Sequence, residues 1–222
     1  MNILSDRILS LEESQTIAMA RKSRELTDSG IDVISLSLGE PDFNTPDFIK
    51  DAAKKAIDNN FSHYTPVPGL NSLRDAISGK FKRDNKLDYA ADQIVASTGA
   101  KQSLAQLLMA ITNPGDEIIV PAPYWVSYFQ MVKMAEGTPV VIEASVDADF
   151  KVTADQVEQA ITSKTKSILF STPFNPTGSE YSKNELAELV KVFEKYPDMM
   201  VISDEIYAVS YTHLRAHETI DD

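Results

Sequence analysis

The segment VISDEIY, residues 201–207, carries an apolar run into an Asp-Glu pair and a tyrosine. A carboxylate at the end of a buried strand is expensive to desolvate unless a cation or hydrogen-bond donors meet it. A protonated ring nitrogen opposite Asp204 satisfies that demand. Glu205 then faces the other side of the strand, so the two acids do not repel in one site. Tyr207 can bring its hydroxyl to the same ligand. A helix cap or a structural ion pair is the alternative account of Asp204.

Three further segments have comparable potential. STGAKQS, residues 97–103, places Gly99, Ala100 and Lys101 at a strand-to-helix turn, where free N–H groups and the helix dipole favour an anion such as phosphate. The same residues also suit a tight turn needed for packing alone. PYWVSY, residues 123–128, holds Tyr124 and the single tryptophan, Trp125, whose indole suits stacking on a flat ring or a half-buried place in the core. In PFNPTG, residues 173–178, two prolines stiffen the backbone around Asn175, so its amide is held as a donor to a ligand oxygen or simply completes a good turn.

The elements around these segments alternate. Helices are expected over Leu11–Leu26, over Phe48–Ile57 with Thr45-Pro46 as cap and first turn, and over Leu70–Arg83. Residues 31–39, IDVISLSLG, and residues 92–99, DQIVASTG, read as strands. A helix follows at 100–112, then strands at 116–123, 138–144, 166–173 and 198–207. Between them come helices at 124–135, 153–161 and 182–196. Alternation of this kind predicts an α/β fold, a mixed and mainly parallel sheet flanked by helices on both faces. Ligands of such sheets gather at the carboxyl ends of the strands, and STGAKQS, STPFNPTG and SDEIY all fall there.

Composition narrows the function classes. With 222 residues, 43% hydrophobic and 24% charged, the chain is an ordinary globular one. A net charge of −12 argues against nucleic acid or an anionic membrane as partner. No cysteine is present, which excludes disulfides, thiolate metal sites and a Cys nucleophile. The N-terminus lacks the apolar stretch of a secretory signal, and no apolar run approaches ~18 residues, so a soluble, cytoplasmic protein is expected. Neither GxGxxG nor GxxxxGK[ST] follows the first strand, which disfavours a nucleotide-binding domain.

SLGEPDF, HYTPVPG, STGAKQS, PYWVSY, NPTG and SDEIY stand in the order and approximate spacing of fold-type-I pyridoxal-phosphate aminotransferases of class I/II. The chain resembles the bacterial aspartate aminotransferase subgroup over residues 1 to about 207. The resemblance implies the large domain of that fold at residues 31–207, incomplete, behind an N-terminal arm and helix at 1–30. It implies pyridoxal 5′-phosphate as cofactor, an amino acid and a 2-oxo acid as substrates, and a homodimer in the full-length relatives. Asp204 looks like the partner of the pyridinium nitrogen, which makes the cofactor an electron sink. Asn175 and Tyr207 look like donors to the ring oxygen, Trp125 like the stacked indole, and Gly99 and Ala100 like backbone donors to the phosphate. Lys101 completes that segment and resembles the residue that meets a substrate side-chain carboxylate. Gly39, with Trp125, Asn175 and Lys101, resembles a substrate contact, and Tyr64 the tyrosine that reaches the phosphate of a neighbouring subunit. Phe174 departs from the small or polar residue of many relatives; it is expected to lie beside the site, which leaves substrate preference open there.

The family also needs a Schiff-base lysine some tens of residues beyond SDEIY, and no residue of this chain matches it; Lys101 belongs to a different motif. The string VSYTHLRAHE within residues 208–222 is similar to the translation of a common transposase sequencing adapter, which predicts a non-native tail on an N-terminal fragment. His213 and His217, spaced i, i+4, are therefore not expected to be a metal pair. The expected function is transamination from aspartate or a similar amino acid, with the chain itself inactive. An aromatic or broad-specificity transaminase, a lyase on the same scaffold and a non-catalytic cofactor-binding fragment are the alternatives.

Overall fold

The computed structural model describes residues 3–36, 39 and 43–209. The adapter-like tail beyond residue 209, with its two histidines, lies outside them. The chain divides into two compact units, one formed by Met1–Glu12 with Thr98–Asp222 and the other by Glu13–Ser97.

The first unit is built on a four-stranded sheet in the order β2-β1-β3-β4, with every pairing parallel. Its elements run α1 (Asp6–Leu9), then, beyond the second unit, a helix at Ala100–Ile111, β1 (Glu117–Ala122), a helix at Ser127–Met134, β2 (Thr138–Glu143), a helix at Ala154–Ala160, β3 (Thr165–Ser171), a helix at Lys183–Phe193 and β4 (Met200–Asp204). Counting the second unit's helices α2 (Gln15–Asp28), α3 (Asp47–Asp58) and α4 (Asn71–Lys80), those four are α5 to α8. The period of two along each strand sorts side chains onto two faces. Ile118, Val120, Leu169 and Ile202 pack on one face against Leu104 and Leu108 of α5 and Tyr128, Met131 and Val132 of α6. Ile119, Ile168 and Phe170 pack on the other against Val157 of α7 and Leu189 and Val192 of α8. Helices thus cover both faces, as the alternating pattern predicts.

Local chemistry sets the helix starts. Ser182 accepts from the Glu185 N–H, and Glu185 accepts from the Ser182 N–H at 2.7 Å, a reciprocal cap that starts α8 where the sequence turns amphipathic. Thr153 and Gln156 do the same for α7. At the turn from α6 to β2, a Cβ on Gly137 would stand 2.6 Å from Ile118 Cδ1 and 2.8 Å from Thr112 Cγ2, so any larger residue there would force these side chains to shift.

The second unit corrects two expectations. Residues 31–36 are not a strand, and Ile34 and Leu36 are exposed. Residues 92–99 are not one either: Ala91–Gln93 forms a 3-10 turn, Val95 is exposed, and Ala96 N–H donates singly to Pro68 O. An alternating pattern becomes a strand only where a neighbouring strand pairs its backbone, and among the described residues of this unit there is no such strand. Pro46 itself, not Thr45, occupies the N-cap of α3, without a side-chain cap. Leu70 caps α4, which runs on into a π-helical turn at Phe81–Asn85. Among the described residues no helix is long and apolar enough to cross a membrane.

Candidate active site

β1, β3, β4 and the start of α5 deliver their carboxyl-end or amino-end residues to one pocket of about 350 Å³, within the range of small-molecule sites. It is lined by Gly99, Ala100, Lys101, Trp125, Tyr128, Asn175, Asp204, Ile206 and Tyr207. Gly99, Asn175 and Asp204, spread over more than a hundred positions, therefore meet, Gly99 from a helix start and the other two from the ends of β3 and β4.

Each wall has a distinct character. Gly99 is the N-cap of α5 with φ 85°, a left-handed backbone that glycine tolerates best. Its own carbonyl accepts from the Gln102 and Ser103 N–H groups. The N–H groups of Ala100 and Lys101 lie in the first turn, where a helix offers no carbonyl one turn back, so that end of the pocket favours an anion. Lys101 Nζ stands 4.8 Å from the centroid of the Trp125 ring, a cation over an indole face. Trp125 in turn meets Tyr128 edge to face, with centroids 5.6 Å apart. Tyr124, its neighbour in sequence, points away from the lining and stacks on Phe129.

The loop after β3 presents Asn175. Gly178 N–H donates to Phe174 O at 2.8 Å and Phe174 N–H donates to Ser179 O at 2.9 Å, closing a tight loop in which Thr172-Pro173 and Asn175-Pro176 are cis. Asn175 Nδ2 donates to the Tyr207 hydroxyl at 2.5 Å, so two residues 32 positions apart form one polar edge. Phe174 does not lie beside the site. It is buried in the core under α7 and α8, its ring 5.1 Å from that of Tyr181, because the loop that exposes Asn175 turns its predecessor inward. An effect of Phe174 on substrate preference therefore has no contact to act through.

Asp204 is the last residue of β4, paired with Ser171 of β3, and is 7% exposed. The strand alternation puts it on the buried side with Ile202, while Glu205 is exposed and accepts from Ser203 Oγ. Both Asp204 oxygens are engaged. Oδ2 accepts from the Tyr128 hydroxyl at 2.6 Å and Oδ1 from the Ile206 N–H at 3.1 Å. Burial, and then the bond to Asp204, push the Tyr128 hydroxyl well above the ordinary tyrosine range, so it stays a neutral donor. Tyr128 and Ile206 are the pocket residues that the sequence does not single out, and Tyr128 is the one with a polar side chain. Its signal was the Trp125-to-Tyr128 spacing of three, which sets two aromatic rings on one side of a helix start.

Two anticipated residues belong to the other unit. Gly39 is described by itself between undescribed neighbours, and Tyr64 is fully exposed.

A family model for Aminotransferase class I and II matches residues 31–220. The chain is 49% identical over 207 residues to the probable aspartate/prephenate aminotransferase of Rickettsia bellii, covering 93% of this chain and 52% of that protein. It is 50% identical over 207 residues to the aspartate/prephenate aminotransferase of Cereibacter sphaeroides, again 93% and 52%. The solved aspartate aminotransferase of Thermus thermophilus with maleate superposes with a TM-score of 0.89 at 39% identity, covering 93% of this chain and 54% of that one. The chain spans about half the length of the curated relatives it matches.

Proposed function

Because the chain belongs to the class I and II aminotransferases, we propose that its strand-end pocket cradles pyridoxal 5′-phosphate for amino-group transfer from aspartate or a similar amino acid to a 2-oxo acid. One observation carries the reading: an anion-favouring helix start, an indole face and a buried carboxylate line the same pocket. These are the three demands of a phosphate, a flat ring and a protonated ring nitrogen. When bound, the cofactor supplies an electron sink for the charge left at a substrate Cα.

The chain's own residues do the positioning. Ala100 and Lys101 N–H groups hold the phosphate, with Gly99 keeping the approach open. Trp125 limits tilting of the ring and excludes water from one side of it. Asp204 holds the proton on the ring nitrogen, since a carboxylate opposite that atom favours its charged form. The Asn175–Tyr207 pair retains donor capacity for the ring oxygen, because Asn175 has a second amide hydrogen and the Tyr207 hydroxyl can turn its own outward. Lys101 adds positive charge beside the ring, which suits a second substrate carboxylate. Aspartate and prephenate, named for the relatives, both carry two carboxylates, as does maleate. Tyr64 reaching the phosphate in a second copy of the chain, within a homodimer, completes the proposal.

These 222 residues alone hold the cofactor without turning over substrate, because no lysine in them matches the family's Schiff-base position. The test is a titration with pyridoxal phosphate followed by the fluorescence of Trp125, the only tryptophan. Saturable quenching is expected, with no stoichiometric borohydride-fixed adduct on Lys101 and no aspartate-dependent turnover. Absence of saturable quenching refutes the pocket assignment. A stoichiometric Lys101 adduct with turnover refutes the positioning-only role.

A further inference from the structure

Tyr128 has its hydroxyl held by another pocket residue. Its ring is 2% exposed and packed in the core beneath the pocket, and its hydroxyl donates to Asp204 Oδ2 at 2.6 Å. The Ile206 N–H holds the other oxygen. An ionised carboxylate has about four acceptor directions, and these two donors occupy one on each oxygen. Rotation about the Cβ–Cγ bond would break both bonds, so the carboxylate plane is set and the remaining lone pairs keep a fixed aim at the pocket. The same tyrosine ring meets the Trp125 indole edge to face. One side chain on the first turn of α6 thus touches both the ring-stacking wall and the nitrogen-facing wall.

We propose that Tyr128 is a positioning residue that sets the aim of Asp204 at the ring nitrogen of the cofactor; the proposal rests on the reading of the pocket given above. It predicts a specific asymmetry. Losing the Tyr128 hydroxyl should weaken what depends on the nitrogen and spare what depends on the phosphate and the ring face. Tyr128→Phe keeps the ring, its packing and its contact with Trp125, and removes only the hydroxyl. The Ile206 N–H then remains as the single fixed donor to Asp204, and the carboxylate can turn about it.

The experiment measures, on the 222-residue chain, the affinity of pyridoxal phosphate and of its 1-deaza analogue, in which a carbon replaces the ring nitrogen. The parent chain should prefer pyridoxal phosphate. Tyr128→Phe should narrow that preference by about five- to tenfold, within the range expected for losing an ordinary intramolecular hydrogen bond. It should leave affinity for the deaza analogue within about twofold, since a hydrogen bond to Asp204 that does not act on the nitrogen has no effect on a ring without one. Partial unfolding of the variant lowers both affinities alike and cancels in their ratio. An unchanged or widened preference overturns the proposal for Tyr128 alone, leaving the pocket assignment standing. No saturable binding of pyridoxal phosphate by the parent chain overturns the pocket assignment and this proposal with it.

Discussion

Replacing Asp204 separates what this residue does for the fold from what it does for a ligand. In Asp204→Ala the Tyr128 hydroxyl, buried in the α6 face of the sheet, loses its acceptor, and the Ile206 N–H loses one too. An unsatisfied buried donor costs about 1–3 kcal/mol. Against this stands the relief of removing a carboxylate held at 7% exposure. That relief is small here, because Asp204 has two donors and lines an open pocket. The net expectation is a loss of about 1–3 kcal/mol, read from urea unfolding monitored by circular dichroism. Asp204→Asn keeps one acceptor, turns the other oxygen into a donor and should fall between the parent and the alanine variant. Binding should follow a different order. Both variants lack the charge that holds a proton on a ring nitrogen, so both should bind pyridoxal phosphate at least about tenfold more weakly, a factor equivalent to one pKa unit of lost interaction. If Asp204→Ala proves as stable as the parent, the carboxylate is a net burden and the Tyr128 bond does not offset it. If Asp204→Asn binds as tightly as the parent, the charge is not what the ligand reads.

Phe174→Leu should destabilise the chain by about 1–2 kcal/mol, a near volume-conserving loss in a packed core, while leaving pyridoxal phosphate affinity within about twofold. Weakened binding without destabilisation would return Phe174 to the site. Tyr181 donates to the Val152 carbonyl, is 3% exposed, and has its hydroxyl pushed up to about 12 by burial. Its neutral form is favoured in the fold, so that contribution is whole below the unfolded value near ~10 and is lost as pH rises through about 12. Urea unfolding at pH 9.5 and pH 12 should show a drop of about 2 kcal/mol that Tyr181→Phe lacks; equal drops in the two chains would show that the hydroxyl ionises freely in the fold.

How far the sequence predicted this arrangement depended on what each signal needed to be true. The strands β1 to β4 are apolar runs between turn residues, and each found a parallel neighbour and two covering helices, so pattern and context agreed. Asp204 was legible because a polar residue ending an apolar strand of an α/β sheet has few places to go, Asn175 because its proline-flanked loop follows such a strand, and Gly99 because it opens a helix, although the strand expected before it did not form. Residues 31–39 and 92–99 carried the same alternation, but alternation encodes only which side chains could share a face. It does not encode whether a neighbour is there to pair with. Tyr128 was hidden for the opposite reason. An aromatic residue at helical spacing reads as core, and this one is core, with only its hydroxyl belonging to the site. Phe174 misled because adjacency in sequence was taken for adjacency in space, whereas the loop after β3 sends neighbouring side chains in opposite directions.

The pocket's lining runs from residue 99 to residue 207, and the sheet order interleaves its strands, with β3 seated between β1 and β4. Closing β1 onto β3 must bring together segments some tens of residues apart before any of their contacts repay the loss of chain freedom. The helix start at Gly99, the indole and the carboxylate are therefore brought together only once β4, which carries Asp204, has docked. A ligand that needs all three has nothing to grip in a half-formed sheet. Its presence should slow unfolding in proportion to its binding and leave the rate of folding almost unchanged.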